Sequence, residues 1–287
     1  MPRMEIVQLM NREAQTSDTA VLRKDLPISG CVSAIDIGIR ITNAATAPTD
    51  KEISDILNHV GLVCNGTDYR VWVKGPDLLR INWKQLKRPM NNALTEKAST
   101  AQEQWYRLQF GRYIGDTQLG LDLSKFNNVQ LQLDYALSNF GTVGTHVTTA
   151  TFTVTVLLHQ FPINQRPAFR GMIGLREFWT YTTVGGPVDK VQSLPSQNTL
   201  KGLFVMARED TIAEGTDITD IKIGKDLFAT VWYDGKWYNF QQACNEDILD
   251  PSLRMTLALS DASTRSLPVA NIRKVIVAGM DSTGAYS

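Results

Sequence analysis

The residues of this 287-residue chain best suited to chemistry are three histidines, three cysteines and a few clustered acids. His59, His146 and His159 could each act as a base or metal ligand, but none stands in an H-x-H or H-x-x-x-H spacing. A two-domain cupin would carry a histidine cluster on its strands, and this chain has none. Cys31, Cys64 and Cys244 are odd in number and far apart. That suits buried thiols in a protein made in a reducing cytosol better than a disulfide framework or a zinc site. Asn245, Glu246, Asp247 and Asp250 crowd one stretch and could hold calcium, although acids near turns are ordinarily solvated. Glu209, Asp210 and Glu214 read as a solvated loop.

No G-x-S-x-G, Walker A or dinucleotide fingerprint is present. Gly185-Gly186-Pro187 follows a strand pattern but no helix follows it, so it reads as a turn. Asn65-Gly66-Thr67 matches a glycosylation acceptor, yet a tight turn is the better reading in a chain expected to lack a leader sequence. Trp72, Trp105, Trp179 and Trp232 could form a sugar-stacking platform, with burial in a core or subunit interface as the ordinary alternative. An active site assembled from distant acids, as in glycosidases, stays open. The sequence therefore assigns no catalytic, cofactor-binding or metal-binding residue, and no cofactor.

Charge narrows the partners. Lysine plus arginine equal aspartate plus glutamate at 29 each, and no run of about 18 apolar residues is present to span a bilayer. A neutral chain is poorly suited to nucleic-acid binding driven by counterion release. Residues 1–27 read as an arm, with Ile6, Leu9, Met10 and Ala14 on one face of a short helix. The arm's charges cancel, so it is not a basic tail for a genome.

The body reads as strands. In SAIDIGIRIT (33–42), isoleucines at 35, 37, 39 and 41 alternate with Asp36, Gly38 and Arg40. YRVWVK (69–74) alternates and ends at the turn signal Gly75-Pro76-Asp77. VQLQLDY (129–135) and TTATFTVTVLL (148–158) alternate as well. The latter sets threonines against Ala150, Phe152, Val154, Val156 and Leu158, a pattern for an antiparallel sheet packed on one side. TDKEISDILNHV (49–60) predicts a helix, with Thr49 and Glu52 as capping box and Ile53, Ile56, Leu57 and Val60 at helical spacing. Further strands are expected at 173–183, 200–206, 218–223, 227–233, 254–260 and 272–279, with Asp234-Gly235 as a hairpin turn.

Two internal correspondences suggest a duplicated plan. WKQLKRPMN (83–91) and WYNFQQACN (237–245) share tryptophan, a large apolar residue, a sulfur-bearing residue and asparagine at matching offsets. Leu123 and Asn127 match Leu267 and Asn271, both pairs 144 apart. Many short strands per half with few helices point to sandwiches or barrels. The expected organisation is an arm at 1–27, a first β-sandwich or barrel at 28–160, a linker at 161–170 holding Pro162 and Pro167, and a second β-sandwich or barrel at 171–287.

The run LLRINWKQL (78–86), then GRYIGDTQLGLDLSKFNNVQLQLDYAL (111–137), together with LRKDLPISGCVSAIDIGIRI (22–41) and residues 200–243, resembles the double jelly-roll major capsid proteins. These form the shells of tailless icosahedral viruses, a lineage that includes internal-membrane phages and adenoviruses. The resemblance covers about residues 22–280 and lies in element order and length. It implies an all-β protein of two tandem eight-stranded jelly rolls with a few short helices. It further implies a homotrimer whose six rolls make a pseudo-hexagonal capsomer. The implied partners are sister copies, neighbouring trimers and minor capsid or penton proteins, with an internal membrane also compatible and no sequence-specific nucleic-acid contact. The implied place is the virion, after synthesis in the host cytoplasm, and no catalysis is implied. The neutral arm departs from what direct genome packing would favour. A two-domain carbohydrate-binding protein or hydrolase on paired jelly rolls is the alternative, and a minor capsid or spike protein is a further one.

Overall fold

The computed structural model describes residues 4–46, 51–86, 98–180, 191–193, 202–206, 220–225, 230–236, 254–258, 264–268 and 275–279. The chain divides into two compact units, Met1–Glu177 with Thr256–Arg265, and Phe178–Met255 with Ser266–Ser287.

The first unit is built on period-two strands. β1 (Glu5–Ala14), β2 (Thr19–Asp25), β3 (Cys31–Thr42), β4 (Leu57–Cys64), β5 (Asp68–Val73), β6 (Ala101–Gln109), the two-residue β7 (Leu121–Asp122), β8 (Val129–Ala136), β9 (Thr153–Gln160) and the two-residue β10 (Leu175–Arg176) form two five-stranded sheets. One sheet runs β1-β9-β3-β6 with β7 beside β3, and the other runs β10-β5-β4-β8-β2. With the eight long strands lettered B to I in chain order, the sheets read B-I-D-G and C-H-E-F. That is the wiring of a jelly roll, in which the chain alternates between sheets and each sheet collects its strands from distant positions.

The isoleucine alternation of β3 lands as expected. Ile35, Ile37, Ile39 and Ile41 are fully buried. Ile35, Ile37 and Ile39 stand opposite Leu158, Val156 and Val154 of β9, and on the other sheet Val60, Leu62, Leu131 and Leu133 are buried as well. Tyr135 and Phe152 tilt against each other with ring centroids 4.8 Å apart. Both sheets use the same device on a central strand. The indole of Trp105 on β6 occupies the space over Gly38, where a Cβ would come within 2.8 Å. Trp72 on β5 covers Gly61 in the same way, again at 2.8 Å.

Several expectations are corrected. Residues 5–25 do not form a helical arm: they are β1 and β2, the B and C strands of the sandwich. The alternation that would reveal β1 is broken by two register shifts against β9, at Gln8/Met10 and Met10/Glu13, with Arg12 at a positive φ of 46°. The helix expected at 49–60 is a single 3-10 turn at Ile53–Ile56, after which Leu57 opens β4. Its N-terminal bond runs from the Glu52 amide to Asp55, at 3.0 Å, and Thr49 lies outside the described residues. Val60, Leu62 and Cys64 carry the period-two core face that overrides the helical spacing before them. Gly75-Pro76-Asp77 is no turn but the start of helix α1 (Gly75–Leu86). Proline fits there because the first-turn amide has no helical acceptor. Glycine fits because a Cβ would lie 2.4 Å from the Ser54 carbonyl. The strand expected through 148–158 begins only at Thr153, after a 3-10 turn at Thr149–Thr151.

In the remainder, β11 (Gly202–Met206) pairs antiparallel with β16 (Val275–Gly279). β12 (Asp220–Lys225) pairs with β13 (Thr230–Lys236), and β14 (Arg254–Ala258) with β15 (Thr264–Pro268). Asp234-Gly235 lies inside the β12·β13 ladder, opposite Lys222 and Ile221, and not at its turn. Ion pairs Lys222–Asp234 at 2.8 Å and Lys236–Asp220 at 2.9 Å extend that ladder past the predicted reversal. Of the strand expected at 173–183, Leu175–Arg176 is observed as β10. The segment 237–245 lies outside the described residues.

Candidate functional site

The first sandwich holds three charged clusters, two assembled by strand pairing on its outward faces and one in the loop after β6. On the β1-β9-β3-β6 sheet, Asp36 and Arg107 are direct cross-strand partners, and His159 lies diagonally across from Asp36 on β9. Arg107 donates two bonds to Asp36, both 2.6 Å, in the fork geometry that suits a carboxylate. His159 Nε2 lies 2.8 Å from Asp36 Oδ2. The side chains are 12% exposed for Arg107 and His159 and 9% for Asp36, so these charges are largely removed from water. Burial works to raise the Asp36 carboxyl, but bonds from Arg107 and His159 outweigh it and hold the group below its ordinary value. Both carboxylate oxygens are occupied, so the group is an electrostatic clamp rather than a free base.

Helix α1 closes the edge of the same sheet. Asn82, 1% exposed, donates to the Arg107 carbonyl at 2.7 Å and accepts from the Arg107 amide at 2.6 Å. One side-chain amide thus satisfies both outward-facing backbone groups of an edge strand, as a neighbouring strand would.

On the other sheet His59 stacks on Trp72, with centroids 4.5 Å apart and planes 12° from parallel. Its ring nitrogens face Asp134 at 3.9 Å and Glu177 at 3.5 Å. The third cluster fixes the loop after β6. Asp116, with no side-chain exposure, takes the Arg112 guanidinium at 2.8 and 3.0 Å and the amides of Arg112, Gln118 and Leu119 at 3.1, 2.9 and 3.4 Å. The Arg112 bonds are the largest influence. Burial opposes them and the amides reinforce them, so the carboxyl lies far below the usual carboxylate range. Asp116→Ala strands those amides and is expected to cost about 2–3 kcal/mol, measured by urea denaturation. A depressed folded value means this contribution is present above about pH 4 and fades as the pH falls through the folded value. The gap between wild type and variant therefore narrows on acidification, and a constant gap would contradict the assignment.

The three histidines do not converge. His59 lies on β4 rather than on a helix, His159 near the end of β9, and His146 in a loop where its Nδ1 accepts from the Thr142 amide at 3.0 Å. Among the described residues no group of three or more His, Cys, Asp or Glu is placed to hold a metal. The acidic stretches at 209–214 and 245–250 lie outside the described residues. Trp72 and Trp105 stand on different sheets, so they make no shared strip for a sugar, and Trp179 belongs to the second unit. Cys31 and Cys64 are buried free thiols, and Cys244 lies outside the described residues. Burial pushes the Cys64 thiol up to about 11 and raises that of Cys31. Neither is expected to react with a thiol reagent at pH 8 until the chain unfolds. Peptide mapping after labelling checks this, and rapid native labelling at either position would contradict the packing.

The geometry defines a class of fold before any relative is considered: an all-β chain with few short helices, whose first unit is wired as a jelly roll. Two solved structures align with nearly the whole chain. The crystal structure of the STIV MCP aligns over 96% of this chain and 87% of its own length, at 12% identity and a TM-score of 0.59. The atomic structure of Sulfolobus Turreted Icosahedral Virus gives 96% and 85%, 11% identity and a TM-score of 0.60. The major capsid protein P2 of bacteriophage PM2 overlaps only 55% of the chain, at 12% identity and a TM-score of 0.35, too partial to bear on the fold. No protein-family model matches the chain, and no curated protein matches it. Among the described residues no helix is long and apolar enough to cross a membrane.

Proposed function

We propose that this chain is a viral major capsid protein, a shell component assembling as homotrimers of pseudo-hexagonal outline. The observation that carries this reading is the alignment of nearly the whole chain, at TM-scores of 0.59 and 0.60, with structures of the STIV MCP and of its virus. The physical logic is closure. A heterologous contact between like subunits closes after three copies, and two rolls per chain give six lobes that tile a plane. The first roll, on this reading, includes β1 and β2, and the second begins after Glu177. The partners are sister chains, then neighbouring trimers and minor capsid or penton proteins, with an internal membrane compatible. Sequence-specific contact with nucleic acid and catalysis are no part of it. The working place is the virion, after synthesis in the host cytoplasm.

Gel filtration with light scattering tests the assembly. The expected species holds three chains of 32.0 kDa each. A dilute, well-folded monomer with no tendency to associate would overturn the proposal and favour the carbohydrate-binding or hydrolase alternative.

A further inference from the structure

Residues 169–177 form a strap along the edge of the first unit. The Arg170 amide donates to Gln118, the Gly120 amide to Gly171 and the Ile173 amide to Phe110, at 2.9, 2.9 and 2.8 Å. β10 then adds a short parallel pairing, Leu175 with Val71 and Arg176 with Trp72, closed by the Glu177 amide donating to the Trp72 carbonyl at 2.7 Å. Phe178, the next residue, opens the second unit. The last three strap residues, 175–177, thus set where the chain leaves the first unit, and a two-residue pairing is weak on its own.

Side chains supplement that pairing. Glu177 Oε1 lies 3.1 Å from Lys74 Nζ, and its Oε2 lies 3.5 Å from His59 Nε2. The other ring nitrogen of His59 faces Asp134 Oδ2 on β8 at 3.9 Å. A neutral imidazole has one N–H and one lone pair, whereas carboxylates only accept. Neutral His59 therefore turns a lone pair toward one carboxylate whichever tautomer forms. The imidazolium presents a donor and positive charge to both. The charges facing it are Asp134, Glu177 and Lys74, which leave one net negative charge for the imidazolium to neutralise. Beyond them Asp68 is held by Arg70 at 2.6 Å and Arg176 at 3.2 Å. Asn58, which bonds Asp134 at 3.2 Å, is neutral. The Trp72 stack holds the ring in plane between the two carboxylates and favours a cation over its face.

We propose that His59 is a protonation-dependent latch: in its charged form it clamps Leu175–Glu177 onto β5 by bridging Asp134 and Glu177, and in its neutral form it lets that end of the strap loosen. Imidazole is the side chain whose charge changes in the range of pH 5 to 8. The device is independent of the shell reading and would operate in any protein built this way.

Amide hydrogen exchange on the full chain tests it, read as protection after correction for the intrinsic pH dependence of exchange. The Glu177 amide is expected to be about three- to fivefold better protected at pH 5.5 than at pH 8, the size of effect of one partly exposed ion pair. His59→Gln and Glu177→Gln should each abolish that rise, and the second leaves the His59–Trp72 stack in place. The Ile173 amide should show no such rise in any of the three proteins. Equal wild-type protection of Glu177 at both pH values would overturn the latch. So would the same rise in His59→Gln, or a parallel rise at Ile173, which would mark a global change.

Discussion

Asp36→Ala lowers the stability of the chain by about 3–5 kcal/mol, because it leaves the Arg107 guanidinium largely buried with no counter-charge. The size follows from geometry. The side chains of Asp36, Arg107 and His159 are each no more than 12% exposed, and the two 2.6 Å bonds consume the fork of the guanidinium. Arg107→Met should cost a similar amount by stranding Asp36 against His159 alone. The pair Asp36→Leu with Arg107→Met should recover most of the loss, since replacing both members of a buried pair by apolar groups is often neutral or stabilising. Urea unfolding of the three variants measures this as a change in midpoint at constant slope. If the single variants each cost under about 1 kcal/mol, a value typical of exposed pairs, the clamp is not a buried one. The pH dependence has a definite sign. The Asp36 carboxyl is held below its ordinary value in the folded state. Its stabilisation is therefore complete above about pH 4 and is lost as pH falls through the folded value.

Asn82→Ala is the second large expected loss, about 2–4 kcal/mol, because it leaves the Arg107 amide and carbonyl unpaired at a covered edge. Asn82→Asp separates hydrogen bonding from packing. Aspartate keeps an acceptor for the Arg107 amide but sets a carboxylate against the Arg107 carbonyl, so it should be at least as damaging as alanine despite its matching shape. Thermal unfolding of both variants measures the loss. Light scattering should also report self-association, since an uncovered β6 presents a strand edge to other copies. An Asn82→Asp protein as stable as wild type would show that the helix, not the side-chain amide, guards the edge.

Whether a feature was legible depended on what fixed it. β3, β8 and the body of β9 carry unbroken apolar alternation, and there the sequence alone locates strand and core face. β1 has the same role but two register shifts, so its apolar residues fall at spacings that mimic a helix turn. The segment 49–60 misleads for a related reason. Ile53 and Ile56 on the 3-10 turn are buried beside Leu57 and Val60 of β4, and four buried residues crossing a turn–strand junction fall at helical spacing. The Asp36 cluster was invisible for a different reason. Asp36 and Arg107 are 71 residues apart, Asp36 and His159 are 123, and only strand register joins them. The one available signal was that the isoleucine alternation of β3 sends Asp36 and Arg40 to the opposite face. Asn82 gave no signal, since asparagine on a helix reads as solvated until a strand edge is placed beside it. The hairpin pattern was half legible. β5 and β13 carry Val71-Trp72 and Val231-Trp232, and each lies in an antiparallel pair with a register irregularity. The strands were therefore found, while Asp234-Gly235 drew the turn to the wrong place.

The most direct test of the proposed shell function is an electron micrograph of the purified 287-residue chain. Three copies, each bringing two sandwiches of like design, should appear as compact particles with three-fold symmetry and six peripheral lobes of similar size. A uniform field of single bilobed chains, or closed particles of two-fold symmetry, would contradict it.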